Sequence, residues 1–196
     1  MTPNGPTDLT KRSWRAYIAA ERAGVSAAVR VDEAHRLAAI VARWRLFTIC
    51  AYVPTGHEPG TGVLLEVLQA SAKQVLLPVV PPARGPLDWA RYDDEVGLKP
   101  GRIPTVLEPT GPRLGPEAIA SAELVLVPAM AVDLYGTRLG RGGGYYDRSL
   151  VLAGAAQRIA VIRDTELVAK LPAEPHDVPL TGAVTPSCGL IALPAH

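Results

Sequence analysis

Apolar residues gather into five runs of strand length, 46–53 (LFTICAYV), 74–80 (QVLLPVV), 123–128 (ELVLVP), 158–163 (RIAVIR) and 188–193 (CGLIAL). These runs are nearly continuous, which is what strands look like when both faces of their sheet are covered, as parallel sheets require. Helical spacing fills the intervals: 8–23 behind a cap at Thr7 or Asp8 and ending at Gly24, 32–45, 61–72 opened by Thr61, 116–122 opened by Pro116, and 144–153. Strands alternating with helices predict an α/β fold, a mainly parallel sheet with helices on both faces, formed as a single compact domain over 1–196.

The segment 81–115 breaks the pattern, being rich in proline and without a sustained period. A loop of this length in a compact domain is usually a functional flap or a linker. It is expected to cross one end of the sheet irregularly, with Trp89 and Tyr92 as candidate anchors to the core.

With 196 residues, 48% of them hydrophobic, the chain can bury a substantial core. Its formal net charge of +1 excludes a global basic field of the kind that draws proteins to nucleic acid or membrane surfaces, so any anion site must be local. No run reaches the roughly 18 apolar residues of a membrane span, and MTPNGPTDLTKR lacks a signal-type apolar stretch. Cys50 and Cys188 lie in apolar runs without metal-site spacing and read as buried thiols. A cytoplasmic, disulfide-free chain is expected, monomeric, with small molecules and neither nucleic acid nor membrane as partners.

The strongest chemical feature is RLGRGGGYYDR at 138–148, placed between a strand and a helix start near Gly144. Glycines at 140, 142, 143 and 144 remove every Cβ that would hold a phosphate away from the backbone amides, and Arg138 and Arg141 add positive charge beside them. This is not a Walker loop, because no Lys-Ser/Thr follows the glycines, and Tyr145 stands where a dinucleotide fingerprint has its third glycine. A glycine-rich turn without a ligand is the plain alternative. Asp147 offers a carboxylate to a Mg²⁺ bridging phosphates, as does Asp177 in LPAEPHDVPLTGAVT, although a helix start and a solvated turn also account for them separately.

On the first helix, at about 100° per residue, Lys11, Arg15 and Arg22 share one narrow stripe beside an apolar face of Trp14, Tyr17 and Ile18. Stacked cations repel, so the stripe suits a polyanion, while a solvated basic face is the bland account. Glu58 lies in the loop after the first strand, where α/β sheets place ligand groups; its carboxylate suits the donor edge of a heterocycle such as a pterin or guanine.

Taken in order, KRSWR at 11–15, Glu58-Pro-Gly-Thr61, LEP at 107–109, LVPAMAVDLYGTRLGRGGGYYDR at 126–148 and LPAEPHDVPLTGAVT at 171–185 resemble the 5-formyltetrahydrofolate cyclo-ligase family over nearly the whole chain. The RLGRGGGYYD block is the specific part of the resemblance. It implies ATP- and Mg²⁺-dependent cyclisation of 5-formyltetrahydrofolate to 5,10-methenyltetrahydrofolate, with ADP and phosphate released. It further implies that Lys11 and Arg15 contact ATP, and that Arg138, Leu139, Gly140, Arg141, Gly142, Gly143, Gly144, Tyr145 and Tyr146 wrap its phosphates. Asp147 and Asp177 would hold magnesium, while Val53, Glu58 and Tyr146 would bind the folate. Arg141 is the residue expected nearest the transferred phosphoryl group. Segment 81–115 departs from the family pattern and leaves its own folate contacts unassigned.

Two other readings use the same residues. A sugar-phosphate isomerase or acyl-transferase-like enzyme would use the glycine loop for a phosphomonoester and need no ATP. A non-catalytic nucleotide- or folate-binding regulator would keep the cradle without turnover. The joint presence of Lys11, Arg15, both aspartates and Glu58 favours neither.

Overall fold

A computed structural model describes residues 10–93 and 97–194. The chain opens with α1 (Lys11–Gly24), whose N-cap is Thr10; Thr7 and Asp8, proposed above as the cap, lie outside the described residues. Helix α2 (Ala27–Val41) follows a Ser26 cap and starts five residues before the expected 32. Its stripe Ala34, Leu37, Ala38 and Val41 is buried. Strand β1 (Leu46–Cys50) leads to α3 (Val63–Ser71), capped by Gly62, and Thr61 instead donates its hydroxyl hydrogen to the Glu58 carbonyl at 2.9 Å. Then come β2 (Ala72–Val79), β3 (Asp88–Arg91), the hairpin β4 (Leu98–Pro100) and β5 (Leu107–Pro109), and a 3-10 helix at Pro116–Ser121 where the sequence predicts an α-helix. The second half carries β6 (Leu124–Pro128), β7 (Ala131–Asp133), β8 (Arg138–Leu139), α4 (Tyr145–Leu150) and β9 (Gln157–Val161). A 3-10 turn Asp164–Glu166, β10 (Leu167–Val168), β11 (Gly182–Thr185) and β12 (Gly189–Ala192) complete it.

The main sheet has seven strands in the order β12-β11-β9-β6-β1-β2-β3. Its five central strands are parallel, and β3 and β12 close the two edges antiparallel. Side chains alternate between two cores. Ile49, Leu124, Leu126, Val75, Leu77 and Val161 pack with Leu37, Val41 and Leu64 of α2 and α3, while Cys50, Val125, Val127, Leu76 and Ala160 pack with Ile119 and Leu150 on the opposite face. Helices therefore cover both faces, and the predicted α/β architecture with a mainly parallel sheet is the one observed.

Three expectations need correction. Strand β11, buried along its whole length, lies in a stretch that reads as loop, because GAVT is short and sits among proline and polar residues. The segment 81–115 is less irregular than its composition suggests: β3 extends the sheet edge, and Trp89 and Tyr92 are buried. Cys50 is buried as expected, but Cys188 is exposed between β11 and β12.

Strand order reverses between β1 and β6, the point at which an α/β sheet opens a crevice beyond its strand ends. A small sheet, β10-β7-β8, stands at this end. Trp14 and Ile18 of α1 bury themselves on it against Ala131, Leu139, Val168 and Leu171. Complete burial of an isoleucine such as Ile18 contributes about 1.5–3 kcal/mol, enough to hold α1 beside the crevice.

Candidate active site

A cavity of about 1200 Å³ opens at the strand reversal. Tyr52, Val53, Thr55 and Glu58 enter it after β1, and Pro128, Ala129 and Met130 after β6. Lys11 and Arg15 come from α1, the glycine loop with Tyr145 to Arg148 from around α4, and Glu174 to Pro179 from the loop after β10. Leu87, Ile103, Val106 and Leu107 of the long excursion add apolar wall. Of the expected site residues, Leu139 alone is turned elsewhere: its side chain is buried with Trp14 under α1, and its carbonyl accepts from the Met130 amide.

At one end, Glu58 is 7% exposed. Its Oε2 accepts from the Thr55 amide at 2.8 Å and the Thr55 hydroxyl at 3.2 Å, while Oε1 meets Arg141 Nη2 at 2.9 Å. Burial pushes the Tyr52 and Tyr146 phenols above their ordinary range, so both are neutral donors at physiological pH. The Tyr146 hydroxyl is buried with no protein partner. A neutral phenol of this kind is suited to a ligand acceptor.

At the other end, Gly142 (φ 99°) and Gly144 (φ 66°) take left-handed conformations that a side chain would strain. The loop's carbonyls are held from two sides. Arg15 Nε donates to Gly140 O at 2.7 Å, and Arg148 Nη2 to Gly143 O at 3.0 Å, with the Arg148 guanidinium 5.3 Å over the Tyr145 ring. Helix α4 is only six residues long, so the charge of this region resides in its arginines more than in a helix dipole. Arg148 belongs to the quoted block but is not foreseen as a site residue; its position on the helix that follows the glycines was the available signal.

Charged pairs join the rest. Arg138 Nη2 meets Asp147 Oδ1 at 2.6 Å and lies 5.7 Å over Tyr146. Lys11 Nζ contacts both Asp177 oxygens at 2.8 Å and Glu174 Oε2 at 2.7 Å. Burial alone would raise the Asp177 carboxyl, but the Lys11 ammonium and the Glu174 amide overcome it and hold it below the usual aspartate value. Glu174, His176 and Asp177 bring their ligand atoms within 4.8 Å of one another, a grouping that does not include Asp147. The expected cationic stripe of α1 divides. Lys11 and Arg15 line the cavity, whereas Arg22 is buried, its Nε and Nη2 paired with Glu166 at 2.7 and 2.8 Å. Helical periodicity gives the angle of Arg22 but not the carboxylate it meets 144 positions later.

Comparison with known proteins identifies the family and the fold. A protein from Mycolicibacterium smegmatis named 5-formyltetrahydrofolate cyclo-ligase is 44% identical over 195 residues, covering 94% of this chain and 97% of its own. The Escherichia coli protein of the same name is 34% identical over 143 residues, covering 71% and 78% respectively. The NMR structure of Aquifex aeolicus 5,10-methenyltetrahydrofolate synthetase shares the fold with a TM-score of 0.80 at 24% identity, covering 96% of this chain and 95% of that one. The profile described as the 5-formyltetrahydrofolate cyclo-ligase family matches residues 8–186, a span that takes in both ends of the cavity and every charged residue placed in it, and the chain belongs to that family.

Proposed function

We propose that this protein cyclises 5-formyltetrahydrofolate to 5,10-methenyltetrahydrofolate at the expense of ATP, releasing ADP and phosphate. The contact between Arg141 of the glycine loop and Glu58 of the β1 loop carries this reading. A single guanidinium spans the region suited to phosphate and the region suited to a heterocycle, so a phosphoryl group held by one end is within reach of a formyl group held at the other. Membership of the family and the glycine loop together favour this over a phosphomonoester isomerase or a binding-only regulator.

In the reaction, the formyl oxygen bonds to the γ-phosphorus as the bond to ADP breaks. N10 then attacks the activated carbon and loses its proton, and the carbon–oxygen bond breaks with phosphate as leaving group. Glu58 accepts hydrogen bonds from the pterin ring, with Val53 and Tyr146 against the folate. Lys11, Arg15, Arg138 and the amides of 140–144 hold the triphosphate, and Arg141 follows the charge on the moving phosphoryl oxygens. Carboxylates of Asp147 and Asp177 fit Mg²⁺, a hard cation that takes oxygen ligands, and both face the cavity. Bound there, Mg²⁺ would neutralise phosphate charge. Each aspartate is ion-paired with a cation of the triphosphate set, so Arg138 and Lys11 can be shared between carboxylate and phosphate. The reading places the enzyme in the cytoplasm, acting on soluble substrates; among the described residues no helix is long and apolar enough to cross a membrane.

The test is the absorbance of methenyltetrahydrofolate formed from 5-formyltetrahydrofolate with and without ATP and Mg²⁺. Product is expected only with both, and turnover without nucleotide would end the reading.

A further inference from the structure

Three charged side chains are buried behind the cavity and not in it, with a fourth half-buried beside them. Arg22 of α1, Arg163 after β9 and Glu166 of the following 3-10 turn are 5%, 4% and 2% exposed, and Glu33 of α2 completes the group. Glu166 binds Arg22 through both oxygens, accepts the Arg163 amide at 3.0 Å and lies 3.5 Å from Arg163 Nη1. Arg163 Nε meets Glu33 Oε2 at 2.8 Å. Burial drives the Glu33 carboxyl upward against the lowering effect of Arg163, a sign of how costly the enclosure is. Buried ion pairs of this kind are poor stabilisers, because desolvation consumes most of the attraction between the charges, so their presence is not explained by stability alone.

Their remaining donors point to another role. Arg163 Nη1 donates to the carbonyl of His57 at 2.9 Å, and Arg22 Nη2 to the carbonyl of Ala129 at 2.7 Å. His57 directly precedes Glu58, and Ala129 directly precedes Met130, so the two carbonyls belong to the loops that leave β1 and β6 on either side of the strand reversal. One carboxylate, Glu166, therefore ties together the two arginines that anchor the two walls of the crevice. Rotating either arginine would move a peptide adjoining a cavity residue.

We propose that Glu166, acting through Arg163 and Arg22, is a positioning residue for the folate end of the site: it sets where Glu58 stands relative to the Met130 wall, and reaches the glycine loop only indirectly, through the Arg141 side chain and the Met130–Leu139 hydrogen bond. The assignment of that end to folate rests on the function proposed above. The backbone anchors of the two ends differ, since the glycine-loop carbonyls are held by Arg15 and Arg148, neither of which bonds to Glu166, and the loop meets Glu58 and Thr55 through the exposed Arg141 side chain.

Glu166→Gln keeps the shape and removes the charge and one acceptor. It is expected to raise KM for 5-formyltetrahydrofolate about tenfold or more, since small displacements of a binding group are amplified in this way, with KM for ATP near wild type. A double-mutant cycle provides a readout that a purely structural role would not move. The penalty for Glu58→Gln should be much smaller in the Glu166→Gln background than in wild type, because a misplaced carboxylate has less to lose. Amide hydrogen exchange, which needs no activity, should quicken clearly more at 55–58 and 129–130 than at 140–144. Should Glu166→Gln not fold, Arg163→Lys, which cannot donate in the same forked geometry, takes the same three measurements. Equal rises in both KM values, an additive cycle or uniform exchange across both loops would overturn the proposal. Wild-type protein that forms no methenyl product would instead count against the proposed function, leaving the exchange result to decide the positioning.

Discussion

The glycine loop at 140–144 and the Glu58 loop at 53–58 meet in one cavity, are both held by arginines on their carbonyls, and differ in exposure. The first is a run of glycines with two left-handed residues, its carbonyls held by Arg15 and Arg148 reaching in from helices, and its own Arg141 side chain is 56% exposed. The second is secured from behind by Arg163 and lined with Tyr52 and a nearly inaccessible Glu58. Each suits the ligand proposed for it. A triphosphate carries charge that must shift during transfer, so the exposed Arg141 guanidinium can follow it. A pterin edge offers fixed donors, and a carboxylate gains most from them when water is excluded and its place is set.

That contrast breaks most sharply at Arg141. Arg141→Lys keeps the charge but loses the forked pair of donors for equatorial phosphoryl oxygens. Turnover should drop on the order of a hundredfold, as for loss of a single oxyanion donor, with the ATP affinity largely kept. Steady-state kinetics decide it: a change confined to the ATP Michaelis constant, with turnover near wild type, would remove Arg141 from the reacting centre.

Glu58→Gln probes the other end. Loss of a charge-assisted hydrogen bond should cost about 1.5–3 kcal/mol of folate binding, roughly ten- to a hundredfold in affinity, with ATP binding little altered. Calorimetric titration with each ligand reads this directly, and equal losses would erase the distinction between the two ends.

The smallest effect concerns stability. Asp177 is held below its ordinary value of 3.8, so its part of the Lys11 pairing is fully present above pH 3.8 and is lost as pH falls through the lower folded value. Burial opposes the charge of Lys11, but Asp177 and Glu174 outweigh it and raise its pKa, so its part is present below 10.5 and lost as pH rises beyond that. The melting-temperature gap between wild type and Lys11→Ala should accordingly be flat between these limits and close outside them. A gap that varied steadily through neutral pH would implicate another group.

The central sheet was legible because burial on both faces leaves short, Val- and Leu-rich apolar runs such as ELVLVP, of strand length and bounded by turn residues. Strand β11 escaped notice because four residues carry too little pattern, and β3 because Asp88 and Arg91 at its ends mask the buried Trp89 and Ala90 between them. Within the site, the glycine loop announced itself through local chemistry. Pairings across the chain did not: nothing near Lys11 foretells Asp177, which is 166 positions away, and nothing near Arg22 foretells Glu166. Periodicity reports which residues share a helix face, and only the fold reports what that face meets.

The docking of α1 on the small sheet bears on synthesis. Trp14 and Ile18 leave the ribosome roughly 150 residues before Val168 and Leu171, which form part of the surface that covers them. At about 5–20 residues per second, the first helix must wait roughly ten seconds or longer before its partners exist. Throughout that interval Lys11 and Arg15 have no cavity to line. A nascent chain therefore carries an exposed tryptophan and no assembled site until translation has passed β10.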